Sequence, residues 1–157
     1  MRIGFGFDVH QLAEGRELWL GGVKVPHIKG SLGHSDADVL LHAICDAILG
    51  ALALGDIGTH FPDTDLAYKG IDSKLLLKNV IGLADEKGYR VGNIDASLCL
   101  EKPKVMRYAG EMRNQIAEIC KITADDISIK ATTNERMGFI GREEGLTAYA
   151  VVLMLKK

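Results

Sequence analysis

Apolar and polar residues alternate at Ile94, Ala96, Leu98 and Leu100, and again at Ile127, Ile129 and Ala131. Successive side chains of a strand point to opposite faces, so both stretches predict half-buried strands. Thr147 to Leu155 is a more continuous apolar run and predicts a closing strand, while Arg2 to His10 predicts an opening one. Glu17 to Val25 reads as a hairpin around Gly21-Gly22, a dipeptide that tolerates positive φ. Ser35 is expected to open a long helix, with Ser35-x-x-Asp38 as a capping box and Gly55 as its stop. Two further helices are expected, from about Ser73 to Lys87 before Gly88 and from about Val105 to Ile119 after the break at Pro103. Gly55 to Gly70 and Thr132 to Gly145 remain as loops, and loops of such length usually carry function. No linker, repeat or low-complexity tract divides the chain. The expected fold is α+β (with α/β as the alternative), a mixed β-sheet packed against helices in a single compact domain over residues 1–157.

Composition excludes more than it identifies. A chain of 157 residues holds one sizeable core. Lys+Arg 19 against Asp+Glu 21 gives a net charge of -2, which disfavours general nucleic-acid binding. The N-terminus lacks an apolar signal core and an Arg/Ser-rich transit segment, and the longest apolar stretch, Val39 to Leu54, is broken by His42 and Asp46. No membrane span is therefore expected, and a cytoplasmic location is. Cys45, Cys99 and Cys120 are odd in number and far apart, which suggests buried reduced thiols. The average hides a clustering: Asp and His crowd into Asp8 to His10, His34 to Asp46 and Asp56 to Asp65.

Those clusters carry the candidate chemistry. Asp8 and His10, at i and i+2 of a strand, share a face and form a two-point metal clamp, or else a solvated strand end. Asp38, His42 and Asp46 form a polar stripe on a helix that Ala43, Ile44, Ala47, Ile48 and Leu49 make apolar almost all round. A buried stripe needs partners, so His42 could complete a three-ligand zinc site with Asp8 and His10. Asp38 or Asp46 could then orient His42, or be structural. Gly30-Ser-Leu-Gly33-His34-Ser35 approaches a helix N-terminus, which favours an anion, though a plain connection fits as well. Asp56, Asp63 and Asp65 offer acceptors for sugar hydroxyls beside Phe61, or simply make Asx turns. Thr132, Thr133 and Asn134 end a strand where phosphate can sit, and Glu135 can hold Mg²⁺; a Thr-rich strand end is the plain alternative. His27 and His60 read as surface residues. Together these features point to metal-assisted phosphoryl transfer on a polyol phosphate.

The residues resemble one family closely, the 2-C-methyl-D-erythritol 2,4-cyclodiphosphate synthases of non-mevalonate isoprenoid biosynthesis. The resemblance rests on Gly6-Phe-Asp-Val-His10, on His34-Ser-Asp-Ala-Asp-Val-Leu-Leu-His-Ala43, and on Gly55-Asp-Ile-Gly58 with Phe61-Pro-Asp-Thr-Asp65. It continues through Pro103-Lys104 and the run from Lys130 to Arg142, so it spans nearly the whole chain. The resemblance implies a substrate, 4-diphosphocytidyl-2-C-methyl-D-erythritol 2-phosphate, closed to a cyclic diphosphate with loss of CMP. It implies Zn²⁺, one per subunit, on Asp8, His10 and His42, and Mg²⁺ or Mn²⁺ on Glu135 with the substrate diphosphate. His34 and Thr133 match the positions that stabilise the transition state. Asp56 and Gly58 match ribose contacts and Asp63 a methylerythritol contact, and Ser35, Ile57, Phe61 and Asp65 are expected among the substrate-binding residues. The stretch Leu100 to Met106, including Lys104, matches the cytidine pocket together with Thr132, and Asn134 is expected among the substrate-binding residues. A homotrimer with sites between subunits is implied, with Phe7, Phe139 and Arg142 lining a threefold cavity proposed to hold an isoprenoid diphosphate.

Four positions depart from the family pattern. Asn134 stands where some members have Thr, Phe5 where some have His, and Arg107-Tyr108 where some have Pro-His. Some members are fused to a cytidylyltransferase domain, for which 157 residues leave no expected space. Two rivals remain at this point. One is a phosphohydrolase using zinc-bound hydroxide; the other is a non-catalytic trimer that binds isoprenoids or nucleotides.

Overall fold

The opening strand runs past the stretch its pattern predicts: β1 covers Arg2–Glu14. The computed structural model describes residues 1–157, the side chain of Ala67 excepted. Two hairpin strands follow, β2 (Leu18–Leu20) and β3 (Val23–Val25), joined at Gly21-Gly22 with both glycines at positive φ. Next come β4 (Lys29–Leu32), α1 (Val39–Ala51), α2 (Ile57–His60), α3 (Ser73–Glu86) and β5 (Tyr89–Cys99). The chain ends with α4 (Ala109–Cys120), β6 (Ile127–Thr132), α5 (Gly138–Gly141) and β7 (Gly145–Lys156). The main sheet has the order β4-β1-β7-β5-β6. Its pairs are antiparallel except β5 with β6, so β1, β5 and β6 run in one direction and end at one edge. This mixed sheet with helices is the α+β arrangement expected.

α1 explains why the layers pack so closely. Val39 to Leu41, Ala43 to Cys45, Ala47 to Leu49 and Ala51 are all buried. The helix meets β1 through Gly4 and Gly6, where a Cβ would lie 1.7 Å from the Ala47 carbonyl oxygen and 1.9 Å from that of Ala43. The even positions of β1 therefore face the helix, and Asp8 and His10 are carried onto that side. The odd positions face away. There Ile3 is 69% and Phe5 63% exposed, joined by Phe7, Val9, Tyr149 and Val151. The helices α1, α3 and α4 leave this apolar strip of sheet uncovered.

Helix α1 does not begin at Ser35. Ala37 lies at φ 57, and a left-handed residue cannot continue a right-handed helix from Ser35. Asp38 is the cap instead, its carboxylate accepting from the Leu40 and Leu41 amides. The same carboxylate accepts from Gly21 N at 2.9 Å and Gly22 N at 2.7 Å, tying the hairpin to the helix. Burial pushes this carboxyl up, against the pull of its backbone donors. The helix stops at Leu52, ahead of Gly55. α4 likewise starts later than Val105, after a 3-10 turn over Met106–Tyr108. The two expected loops contain the short helices α2 and α5.

Candidate active site

Strand β1 and helix α1 converge on three donor atoms. His42 Nδ1 lies 3.0 Å from Asp8 Oδ2, His10 Nε2 lies 3.0 Å from the same oxygen, and the two nitrogens are 3.2 Å apart. Three ligands at 2.0–2.1 Å in a tetrahedral zinc site stand about 3.3 Å from one another. The triangle thus has nearly the size such an ion requires, and the two imidazoles and one carboxylate are the right donor types. His10 Nδ1 donates to the Leu32 carbonyl oxygen at 3.0 Å, leaving Nε2 as the acceptor. His42 Nε2 faces Ser73 Oγ at 2.9 Å and Ser35 Oγ at 3.1 Å. Ser73 Oγ in turn donates to Asp36. Outer hydrogen bonds of this kind fix ring orientation and tautomer. Gly33 leaves room for the His10 ring: a Cβ there would come within 3.0 Å of its Cε1.

Asp38 and Asp46 follow the structural alternative left open for them: Asp38 caps α1, and Asp46 accepts from Ile57 N at 2.7 Å, anchoring α2. The role of orienting His42 falls to Ser73 and Asp36, which were missed. Asp36 lay inside a motif already singled out, but nothing local marked Ser73. At the approach to α1, of the two readings left open, the Asp38 carboxylate takes the Leu40 and Leu41 amides of the helix end and Lys29–Leu32 form β4. His27 and His60 are half-buried rather than surface residues, and His60 Nε2 donates to the Leu54 carbonyl oxygen at 2.8 Å.

The triad is strongly polarised. Burial alone would push the Asp8 carboxyl up, but hydrogen bonds and charge from His10 and His42 outweigh it and hold it well below the usual carboxylate range. Burial opposes charge on His10 too, yet the Asp8 carboxylate raises it above its ordinary 6.5. In metal-free protein, His10 therefore contributes stability that is complete below about pH 6.5 and is lost as pH rises through the raised value. A cation needs the same nitrogen deprotonated, so its stabilising effect grows with pH. The rise in Tm on adding Zn²⁺ to chelator-stripped protein is expected to be larger near pH 8 than near pH 6. An equal or smaller rise near pH 8 would count against His10 as a ligand.

Around the triad lies a cavity of about 400 Å³ that brings together His34, Ser35, Ile57, Gly58, Phe61 and Asp63. His34 Nε2 donates to the Asp65 carbonyl oxygen at 3.3 Å. Asp56 caps α2, accepting from Thr59 N and Oγ1 at 2.8 Å. A second hollow of about 130 Å³ collects Leu100, Lys104, Met106, Thr132 and Thr133. The sheet register relates the two. Val9 pairs with Thr147, Thr147 with Cys99, and Cys99 with Thr132. Three interstrand steps place Thr132 roughly 14 Å from Val9. Paired residues share a face, so Thr132 lies on the exposed apolar side and Asp8 and His10 on the helix side. Phe139 lines a third hollow beside Val9, while Arg142 is held by Glu144 at 2.9 and 3.0 Å, and Phe7 packs on Tyr149.

The chain as a whole has counterparts among known proteins. The model of the YgbB family matches residues 1–155. The chain belongs to the YgbB family. It is 62% identical over 156 residues to the 2-C-methyl-D-erythritol 2,4-cyclodiphosphate synthase of Bacteroides thetaiotaomicron, covering 99% of this chain and 98% of that one. Among solved structures it is similar to a 2C-methyl-D-erythritol-2,4-cyclodiphosphate synthase in its CDP-bound form, at 35% identity and a TM-score of 0.90, covering 98% of this chain and all of that one. It is also similar to the bifunctional IspDF of Campylobacter jejuni, at 41% identity and a TM-score of 0.95. That match covers 99% of this chain but 42% of the bifunctional one. In this YgbB family member, the Thr133–Arg136 strap, with Asn134 and Glu135, follows β6 beside the second hollow. Thr133 Oγ1 lies 3.3 Å from Glu135 Oε1. Glu101 accepts from Asn134 N and Arg136 N, both at 3.0 Å, a partnership the sequence did not announce.

Proposed function

We propose that the protein converts 4-diphosphocytidyl-2-C-methyl-D-erythritol 2-phosphate into 2-C-methyl-D-erythritol 2,4-cyclodiphosphate and CMP, as a lyase of the non-mevalonate isoprenoid pathway. The observation that carries this reading is the Asp8–His10–His42 triangle opening into a cavity lined by His34, Ser35 and the loop from Ile57 to Asp63. An oxygen of the substrate's 2-phosphate attacks the β-phosphorus in line, and the bond to the oxygen bridging the α-phosphate breaks as CMP leaves. Nucleophile and electrophile belong to one molecule, so folding it correctly supplies much of the rate. Zn²⁺ on the triad and Mg²⁺ or Mn²⁺ on Glu135 supply charge neutralisation to the phosphate oxygens. The exposed Glu135 carboxylate suits Mg²⁺, which takes one or two carboxylates and completes its shell with phosphate and water.

The remaining roles fall to the chain's own groups. His34 and Thr133 donate hydrogen bonds to phosphate oxygens as charge builds on them. Ser35, Asp63 and Asp65 hold the methylerythritol side against Phe61. Asp56, Ile57 and Gly58 take the ribose. Leu100, Lys104 and Met106, with Thr132 and Asn134, take the cytosine. One synthase domain occupies residues 1–157, in the cytoplasm; among the described residues no helix is long and apolar enough to cross a membrane.

The triad cavity lies by β1 and the second hollow at the β6 edge of the sheet, three interstrand steps away, which supports one substrate reaching both across a junction between copies. The uncovered strip of Ile3, Phe5, Phe7 and Val9 supports a homotrimer built on that face, with Phe139 and Arg142 about a threefold cavity suited to an isoprenoid diphosphate. Mixing two inactive variants, His42→Ala and Thr133→Ala, tests this arrangement. Random exchange of subunits gives an intact pairing at roughly one quarter of sites. Recovery of activity toward that level is expected once native mass spectrometry shows mixed oligomers. Mixed oligomers with no activity beyond that of the parents would contradict a shared site.

A further inference from the structure

Glu101 follows the end of β5, where Leu100 N donates to the Thr132 carbonyl oxygen and joins the ends of β5 and β6. One atom of its side chain, Oε1, receives both Asn134 N and Arg136 N at 3.0 Å. The residue between these two donors is Glu135. Glu135 lies at φ 50 and Arg136 at φ 61, two consecutive left-handed residues without a glycine. Side chains seldom take this conformation, and it persists only where surroundings over-determine it. Gly141 closes the strap from the other side, since a Cβ there would stand 2.0 Å from the Arg136 carbonyl carbon.

We propose that Glu101 is a positioning residue: by gripping the amides on both sides of Glu135, it holds the strap in the turn that presents the Glu135 carboxylate to a divalent cation. The inference rests on the reading of Glu135 as a cation ligand. Glu101 itself touches no reacting atom in this scheme. Its action requires an oxygen acceptor at that point and does not require charge, because backbone amides are donors to either a carboxylate or a carboxamide oxygen.

The test uses the full-length protein with Glu101→Ala, Glu101→Gln and, as reference, Glu135→Gln. Two quantities are read: amide exchange at Asn134 and Arg136 in metal-free protein, and the Mg²⁺ concentration giving half-maximal turnover. Glu101→Ala is expected to speed exchange at both amides and to raise the Mg²⁺ requirement about tenfold or more, with zinc content unchanged. Glu101→Gln keeps an oxygen in place and is expected to stay near wild type in both. If Glu101→Ala does not fold, Glu101→Asp serves: one methylene shorter, it should loosen the strap in the same direction. An unshifted Mg²⁺ requirement in Glu101→Ala or Glu101→Asp, alongside a shifted one in Glu135→Gln, overturns the positioning role alone. A Glu101→Gln variant as impaired as Glu101→Ala overturns it in favour of charge. An unshifted Glu135→Gln overturns the underlying reading of Glu135 and the positioning role with it.

Discussion

Replacing His42 by Ala is expected to reduce turnover at least about 10³-fold, which corresponds to about 4 kcal/mol of transition-state stabilisation. The same preparation should lose most of its zinc. His42 is the donor that α1 contributes to a triangle otherwise built by β1, so its loss leaves two donors on one strand. It also removes the partner of Ser73 Oγ and Ser35 Oγ and one of the two imidazoles that hold Asp8 ionised. Metal analysis, turnover and Tm measured on one sample separate loss of the ion from loss of the fold. Near-normal turnover in zinc-depleted His42→Ala protein would sink the metal assignment.

Glu135→Gln is the second large effect. The substitution keeps the size and polarity of the side chain but removes its charge, and a carboxamide is a poor exchange for a carboxylate at Mg²⁺. A rise of about tenfold or more in the Mg²⁺ needed for half-maximal turnover is expected, with zinc content and fold unchanged. Glu135 lies on the strap beyond β6 and contributes no atom to the Asp8–His10–His42 triangle, so zinc content should not depend on it. An unchanged Mg²⁺ titration would remove Glu135 from the reaction.

Much of this arrangement was legible in the residues because period and turn chemistry agree there. Alternation at Ile94 to Leu100 and at Ile127 to Ala131 found β5 and β6, and Gly21-Gly22 found the hairpin. Asp8, His10 and His42 came together as expected because i, i+2 spacing on a strand and an apolar helix around one His left few other places to put them. What failed was tertiary in origin. Ser35 and Asp38 have the form of a capping box, but the left-handed Ala37 and the hairpin amides decide in favour of Asp38 alone. The Ser73–Asp36 support of His42 and the Glu101 grip on the strap join residues 37 and more than 30 positions apart, respectively. No local pattern encodes such pairs. The separation of the two hollows across the sheet depends on a four-strand register, which is visible only once β7 is known to lie between β1 and β5.

The central claim is that this chain closes a phosphate of its own substrate onto a diphosphate without using water. Phosphorus NMR of purified protein mixed with 4-diphosphocytidyl-2-C-methyl-D-erythritol 2-phosphate, Zn²⁺ and Mg²⁺ reads the products directly. The expected spectrum shows the coupled pair of resonances of a cyclic diphosphate growing in step with CMP. Growth of inorganic phosphate, or of a linear product that has taken up oxygen from labelled water, would contradict it.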